Sequence, residues 1–168
     1  MNSFLPTLTP APAQGNTDSP VAAEAPTDAK GFVDRGLEYR TNGKYDLAIA
    51  EFDQAILLEP DFEDAYVFRG LVYYDKGDYD RAIADFDRAI QLNPKDEYAY
   101  NDRGTAYHAK GEYDLAIADY EKAMQLNPEY DEPYGNRGLV YEERDSDYDL
   151  AIADYTKAIE LNPENEVA

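Results

Sequence analysis

Apolar and polar residues follow a helical period over most of this 168-residue chain. One stretch shows the period clearly, with apolar residues at i, i+4, i+7 and i+11: Tyr113, Ile117, Tyr120 and Met124. This spacing places the four side chains on one face of an α-helix. The pattern ends before Pro128, because proline cannot continue a helix and also restricts the residue before it.

The same pattern occurs four times at a nearly fixed distance. The glycine of an Arg-Gly pair stands at positions 36, 70, 104 and 138, so each step is 34 residues. A proline stands at positions 60, 94, 128 and 163, with steps of 34, 34 and 35. A fixed period of this size indicates stacked supersecondary units. In the third unit we predict a first helix from Glu97 to Lys110, a turn at Gly111, and a second helix from Tyr113 to Leu126.

The period divides the chain into an arm, four units and a short tail. Residues 1–28 are rich in proline, alanine and threonine and lack an apolar period, which predicts a disordered arm. The predicted units are 29–62, 63–96, 97–130 and 131–165, and residues 166–168 form a tail. The fourth unit carries one extra residue in the turn between its helices.

The repeated motif is an aromatic residue, then Gly and Tyr, then Ala, Phe or Tyr, Ala and Pro. In the third unit these positions are Tyr100, Gly104, Tyr107, Ala116, Tyr120, Ala123 and Pro128. The motif resembles the tetratricopeptide repeat. The resemblance implies an all-α protein, a right-handed α-solenoid of four antiparallel helical hairpins. It also implies a concave groove that holds extended or helical peptides.

One departure from that family recurs in every unit. The residue before the glycine is usually apolar in the family, but it is arginine here: Arg35, Arg69, Arg103 and Arg137. The second helix of each unit offers an acidic residue in return: Glu51, Asp85, Asp119 and Asp154. We predict a structural ion pair between the two helices of each unit, since the arginine fork can bind a carboxylate with two hydrogen bonds.

The resemblance also places the groove on the first helix of each unit. The implied lining residues are Val33, Leu37, Arg40, Val67, Leu71, Tyr74, Tyr98, Asn101, Thr105, His108, Leu139 and Glu142. The lining is apolar in the first two units and more polar in the last two, with acidic residues beside it. Some family members hold a C-terminal carboxylate with Lys and Asn, and those positions here are Val33, Leu37, Phe68, Tyr98 and Asp102. The expected partner is therefore a peptide with apolar and basic residues.

A second interpretation concerns the last helix. The fourth unit repeats the apolar stripe as Tyr148, Ile152, Tyr155 and Ile159, and only a few residues follow it. Solenoids need a polar element at each end. The stripe therefore predicts either self-association through the C-terminal end or a chain that is a fragment of a longer array. In the first case the chain would be a structural module that forms homo-oligomers.

Composition argues against several other functions. A formal net charge of -21 repels nucleic acid and anionic lipid. One histidine and no cysteine leave little for metal binding or nucleophilic catalysis, and no catalytic motif is present, so we expect neither an enzyme nor a cofactor. Asp145, Asp147 and Asp149 lack the glycine and glutamate of a calcium loop and are interpreted as a polar turn. No signal peptide or membrane span is recognised in the sequence, which favours the cytoplasm but leaves the compartment unassigned.

Overall fold

The computed structural model describes residues 26–145 and 147–163 as a stack of four helical hairpins. The helices are α1 (Ala29–Thr41), α2 (Tyr45–Leu58), α3 (Glu63–Asp75), α4 (Tyr79–Leu92), α5 (Glu97–Ala109), α6 (Tyr113–Leu126), α7 (Glu132–Asp145) and α8 (Tyr148–Leu161). Each second helix packs on the first helix of its own hairpin, and α2, α4 and α6 also pack on the first helix of the next hairpin. The all-α repeat solenoid is confirmed. Residues 1–25, which hold most of the predicted arm, lie outside the described residues.

The first three hairpins turn at a glycine in the left-handed region. Gly43, Gly77 and Gly111 have φ values of 69°, 76° and 75°, which other residues adopt only with strain. The turn at Gly111 satisfies the end of α5, because the amide of Glu112 donates to the carbonyl of Tyr107 at 2.9 Å. These glycines therefore fix the antiparallel return of the chain.

The fourth hairpin turns without a glycine. The amide of Asp147 donates to the carbonyl of Tyr141 at 3.1 Å, and this wider turn accommodates the inserted residue. The carboxylate of Asp147 then accepts a hydrogen bond from the amide of Leu150 at 3.3 Å. The interpretation of this segment as a polar turn that caps the last helix is confirmed for Asp147.

Close packing inside each hairpin depends on a small residue facing an aromatic ring. A Cβ atom at position 104 would lie 2.8 Å from Cε1 of Tyr120, closer than two carbon atoms can approach. Alanines complete the contact, and Ala116, Tyr120 and Ala123 have no exposed surface. The tyrosine hydroxyl donates to the Thr105 hydroxyl at 3.4 Å, so a polar group is buried with a partner.

The four Arg-Gly arginines form the predicted ion pairs. In the third hairpin, Arg103 Nε and Nη2 donate to Asp119 at 2.8 and 2.7 Å. The third nitrogen, Nη1, donates to Asp87 of the preceding hairpin. Arg69 and Arg137 repeat this arrangement, and Arg35 donates to Glu51 at 2.7 Å. Three of the arginines therefore also connect one hairpin to the next, which the sequence analysis did not predict.

Burial dominates the electrostatics of these pairs. The side chains of Arg103 and Asp119 are 18% and 9% exposed. Burial raises the pKa of Asp119 above its usual value although Arg103 acts in the opposite direction. Removing one partner of a buried ion pair typically costs about 3 to 5 kcal/mol of stability. The carboxylate of Asp119 therefore depends on Arg103.

Candidate functional site

A cavity of about 470 Å³ opens on the first helices of the second and third hairpins. Its apolar lining comes from Val67, Phe68, Leu71 and Tyr98. Its acidic lining comes from Glu63, Asp64, Asp96 and Asp102, with Asn93 beside them. We call this cavity the central groove. It joins an apolar surface to a concentration of carboxylates, so it is suited to a ligand that carries both apolar and cationic groups.

Two of these carboxyl groups have strongly raised pKa values. Burial raises the pKa of Asp102 to about 7, and the nearby charges of Glu132 and Asp96 act in the same direction. Burial also raises the pKa of Glu63 to about 7, with a further contribution from its hydrogen bond to Asp96. No described side chain donates a hydrogen bond or forms an ion pair with Asp102. A cation placed here would favour the ionised form of both groups.

The central groove brings together only some of the predicted lining residues. Val67, Leu71 and Tyr98 line it. Leu37 lies partly buried against the first hairpin core. Leu139 lies apart, in a cleft of about 200 Å³ between α7 and α8. The binding role of all these residues stays a prediction.

Val33 and Asn101 do not have the open positions predicted for them. Val33 is 3% exposed and belongs to the core of the first hairpin. Asn101 is also 3% exposed. Its amide nitrogen donates to the Tyr130 hydroxyl at 3.1 Å, and its oxygen accepts from Asn136 at 3.0 Å. The stacking of adjacent first helices covers both side chains, so the prediction that they form open groove surface is wrong.

Other predicted lining residues link neighbouring first helices. Arg40 Nε donates to Asp75 at 2.7 Å, between α1 and α3. His108 Nε2 lies 2.8 Å from a carboxylate oxygen of Glu143, between α5 and α7. These contacts join neighbouring first helices.

Three further predicted residues are held by local contacts. The ring of Tyr74 lies 5.4 Å from that of Tyr79. The Thr105 hydroxyl donates to the carbonyl of Asn101 at 3.0 Å. Glu142 accepts a hydrogen bond from the Tyr155 hydroxyl at 3.1 Å. Each of these three side chains therefore already has a contact within the folded protein.

The predicted self-association residues fall into two groups. Tyr148, Ile152 and Ile159 are 59%, 61% and 50% exposed. Tyr155 instead packs inward against α7, where its Cε1 would meet a Cβ at position 138 at 2.8 Å. The prediction that Tyr155 belongs to the exposed stripe is wrong, because this position fills the interior of its own hairpin.

The sequence analysis did not assign several groove residues. Phe68 and Asp102 were considered only as positions at which a carboxylate clamp is missing, and Glu63 and Asn93 were not considered. Phe68, Asp102 and Glu63 lie one residue or one helical turn from a predicted position, whereas Asn93 lies at the C-terminal end of α4. The stack of hairpins decides which neighbour faces the groove, and a helical period alone leaves that choice open.

Among the described residues, no three His, Cys, Asp or Glu side chains lie close enough together to hold a metal ion. No described helix has both the length and the hydropathy needed to cross a bilayer.

Comparison with known families shows to which family the chain belongs. The tetratricopeptide repeat profile matches residues 33–97, 69–131 and 101–166. The chain belongs to the tetratricopeptide repeat family. No curated protein sequence matches it.

Solved structures of other repeat proteins are similar over most of the chain. A crystal structure of MamA is 29% identical, with a TM-score of 0.73 over 80% of this chain and 78% of that one. MamA from Desulfovibrio magneticus RS-1 is 25% identical, with a TM-score of 0.73 over 83% and 78%. The first tetratricopeptide domain of Spaghetti (RPAP3), bound to the HSP90 peptide SRMEEVD, is 26% identical, with a TM-score of 0.67 over 68% and 91%. Together with the family match, these similarities identify a protein-interaction scaffold.

Proposed function

We propose that this chain is a scaffold that holds a peptide with alternating apolar and basic residues in the central groove. The observation that carries the proposal is the shared lining of Val67, Leu71 and Tyr98 with Glu63 and Asp102. Proteins of this family generally act as scaffolds without catalytic activity, which agrees with the absence of a catalytic motif in the sequence.

The apolar side of the groove supplies most of the affinity. Covering one large apolar side chain contributes about 1.5 to 3 kcal/mol, and part of this gain is offset by ordering the peptide. We expect a Kd of roughly 1 to 100 μM, or about -5.5 to -8 kcal/mol.

The charge of the groove selects the peptide. The HSP90 peptide bound by the Spaghetti domain, SRMEEVD, carries three acidic residues and one basic residue. In this chain the central groove presents four carboxyl groups, which disfavour an acidic peptide and favour lysine or arginine. Residues 1–28 contain no Lys or Arg, so the chain's own arm does not have this chemistry.

Two peptides that differ only in charge test the proposal. One has the sequence Ala-Leu-Lys-Leu-Lys-Leu-Ala, and the other replaces both lysines with glutamate. Fluorescence anisotropy of labelled peptides should show binding of the lysine peptide at least tenfold tighter than the glutamate peptide. Raising the salt concentration should weaken the binding of the lysine peptide, because salt screens exposed charge pairs.

A pair of protein variants locates the site. The double variant Val67→Glu and Leu71→Glu, at two residues that line the central groove, should lose binding of the lysine peptide while its helicity is unchanged. The control, Leu47→Glu and Leu57→Glu, introduces the same charge at leucines of α2 that are 49% and 72% exposed. It should bind normally. Equal affinity of the two double variants would place binding outside the groove.

A further inference from the structure

The last helix is almost a copy of an interior helix. The sequences of α6 and α8 differ at only three of their 14 positions. In α6 the apolar stripe is covered by α7: Met124 is 8% exposed, and Ile117 is partly buried. The corresponding residues of α8, Ile159 and Ile152, are 50% and 61% exposed. We call Tyr148, Ile152 and Ile159, with the adjacent Asp149, the end face.

The interior interfaces show what kind of helix fits such a face. Each covering helix presents a small residue that is fully buried, and seven positions later a second small or β-branched one. These pairs are Ala65 and Val72 in α3, Ala99 and Ala106 in α5, and Pro133 and Val140 in α7. Small side chains at both positions let the covering helix approach the apolar stripe closely.

At the C-terminal end of each covering helix, within its last turn or directly after it, stands a cation that pairs with the preceding hairpin. Eleven residues after the first small residue stand Lys76, Lys110 and Arg144. They pair with Asp46, Asp80 and Asp114, each the second residue of the covered helix, at 2.7, 2.8 and 2.5 Å. The corresponding residue of α8 is Asp149. It is exposed, and no described basic side chain lies within ion-pair distance of it.

One contact of the interior interfaces has no counterpart on α8. The Arg-Gly arginine of a covering helix pairs with Asp53, Asp87 or Glu121 of the covered one. At this position α8 has Thr156, whose hydroxyl donates to its own helix at Ile152. A helix that covers α8 therefore has no need for arginine four residues after its first small residue.

The first helix of a second copy does not meet these requirements. The positions that should be small and apolar are Gly31 and Glu38 in α1, and the position that should be basic is Asn42, directly after α1. Stacking α1 on α8 would place the carboxylate of Glu38 against the apolar stripe and leave Asp149 without a cation. Burying an unpaired charge in this way is costly, so head-to-tail stacking of copies is disfavoured. The net charge of -21 also opposes contact between two copies.

We propose that the end face is a docking site for an amphipathic helix of another polypeptide. This helix carries Ala or Pro at one position, Ala or Val seven residues later, and Lys or Arg eleven residues later. The small residues pack on Ile152 and Ile159, and the cation pairs with Asp149. The site is separate from the central groove and does not depend on its function.

The chain itself provides a probe for the end face. A labelled peptide with the sequence of residues 95–111 contains Ala99, Ala106 and Lys110 in the required register. We expect it to bind the intact protein with a Kd below about 1 mM and to gain helicity on binding. The groove variant Val67→Glu with Leu71→Glu should bind this peptide as the wild type does, which separates the two sites.

Two adjacent substitutions on α8 provide a matched comparison. Ile152→Lys places a charge within the end face and should weaken binding at least tenfold. Ala153→Lys adds the same charge at a position whose counterparts Ala50, Ala84 and Ala118 are exposed in every interior hairpin. It should bind as the wild type does.

A charge exchange tests the ion pair. Replacing Lys110 of the peptide by glutamate should weaken binding at least fivefold, and Asp149→Lys in the protein should restore it. The proposal is overturned if the peptide does not bind at 1 mM or if Ile152→Lys and Ala153→Lys behave alike. It is also overturned if light scattering shows a mass that rises with protein concentration and returns to the monomer in Ile152→Lys, because a second copy would then occupy the face.

Discussion

Replacing Asp102 with asparagine should stabilise the protein at pH 8. Burial raises the pKa of this carboxyl from 3.8 to about 7, and one pKa unit corresponds to about 1.4 kcal/mol. Keeping Asp102 ionised in the folded state therefore costs at most about 4 kcal/mol at pH 8. Asparagine has nearly the same shape and carries no charge, so it should recover between about 1 and 4 kcal/mol of this cost.

The dependence on pH follows from the direction of the shift. Between pH 4 and pH 7 the folded chain binds more protons at Asp102 than the unfolded chain does, so its contribution to stability falls as the pH rises. When the pH is raised from 5 to 8, the unfolding free energy of the wild type should fall by up to about 3 kcal/mol more than that of Asp102→Asn. Urea unfolding followed by circular dichroism at both pH values measures this difference.

The control is Asp64→Asn, which makes the same change at an exposed carboxylate of the groove. It should leave the pH dependence of the unfolding free energy close to that of the wild type. If Asp102→Asn and the wild type lost the same stability between pH 5 and pH 8, Asp102 would be well solvated and our description of the groove electrostatics would be incorrect.

Further predictions concern the scaffold, the groove and the arm. Arg103→Met should lower the unfolding free energy by more than about 1 kcal/mol, because Asp119 loses its partner; a change within about 0.5 kcal/mol in urea unfolding would contradict this. Gly104→Ala should lower it by about 1 to 3 kcal/mol through the clash with Tyr120, and unchanged stability would show that the ring can move. The lysine peptide should bind more tightly at pH 8 than at pH 6, since the raised pKa values of Glu63 and Asp102 leave both groups partly protonated at pH 6; calorimetry showing equal affinity would argue against their contact with the peptide. Limited proteolysis should remove residues 1–28 first and leave a core that begins near residue 29, and protection of the arm in mass spectrometry would show that it docks.

The repeat made the fold predictable from the sequence. Four copies in register fix the helices, their turns and the pairing of Arg103 with Asp119, because the pair recurs at a separation of 16 residues in three units and 17 in the fourth. The contacts between neighbouring hairpins were harder to predict from the sequence. That Arg103 also contacts Asp87, or that Lys110 pairs with Asp80, depends on how far each hairpin rotates against the next.

The groove was predictable only in outline. Val67, Leu71 and Tyr98, which the resemblance placed in the groove, do line the cavity, and their binding role stays a prediction. Val33 lies in the core, where the helical period alone could not place it. No local pattern in the sequence indicates the burial that raises the pKa of Asp102.

The most direct test of the proposed function is to map the lysine peptide onto the protein by NMR. We predict that titration of the ¹⁵N-labelled chain will shift amide signals most strongly around Val67, Leu71, Tyr98 and Asp102. The glutamate peptide should leave these signals in place at the same concentration. Shifts confined to the second helices, or equal shifts with both peptides, would contradict a groove that selects apolar and basic peptides.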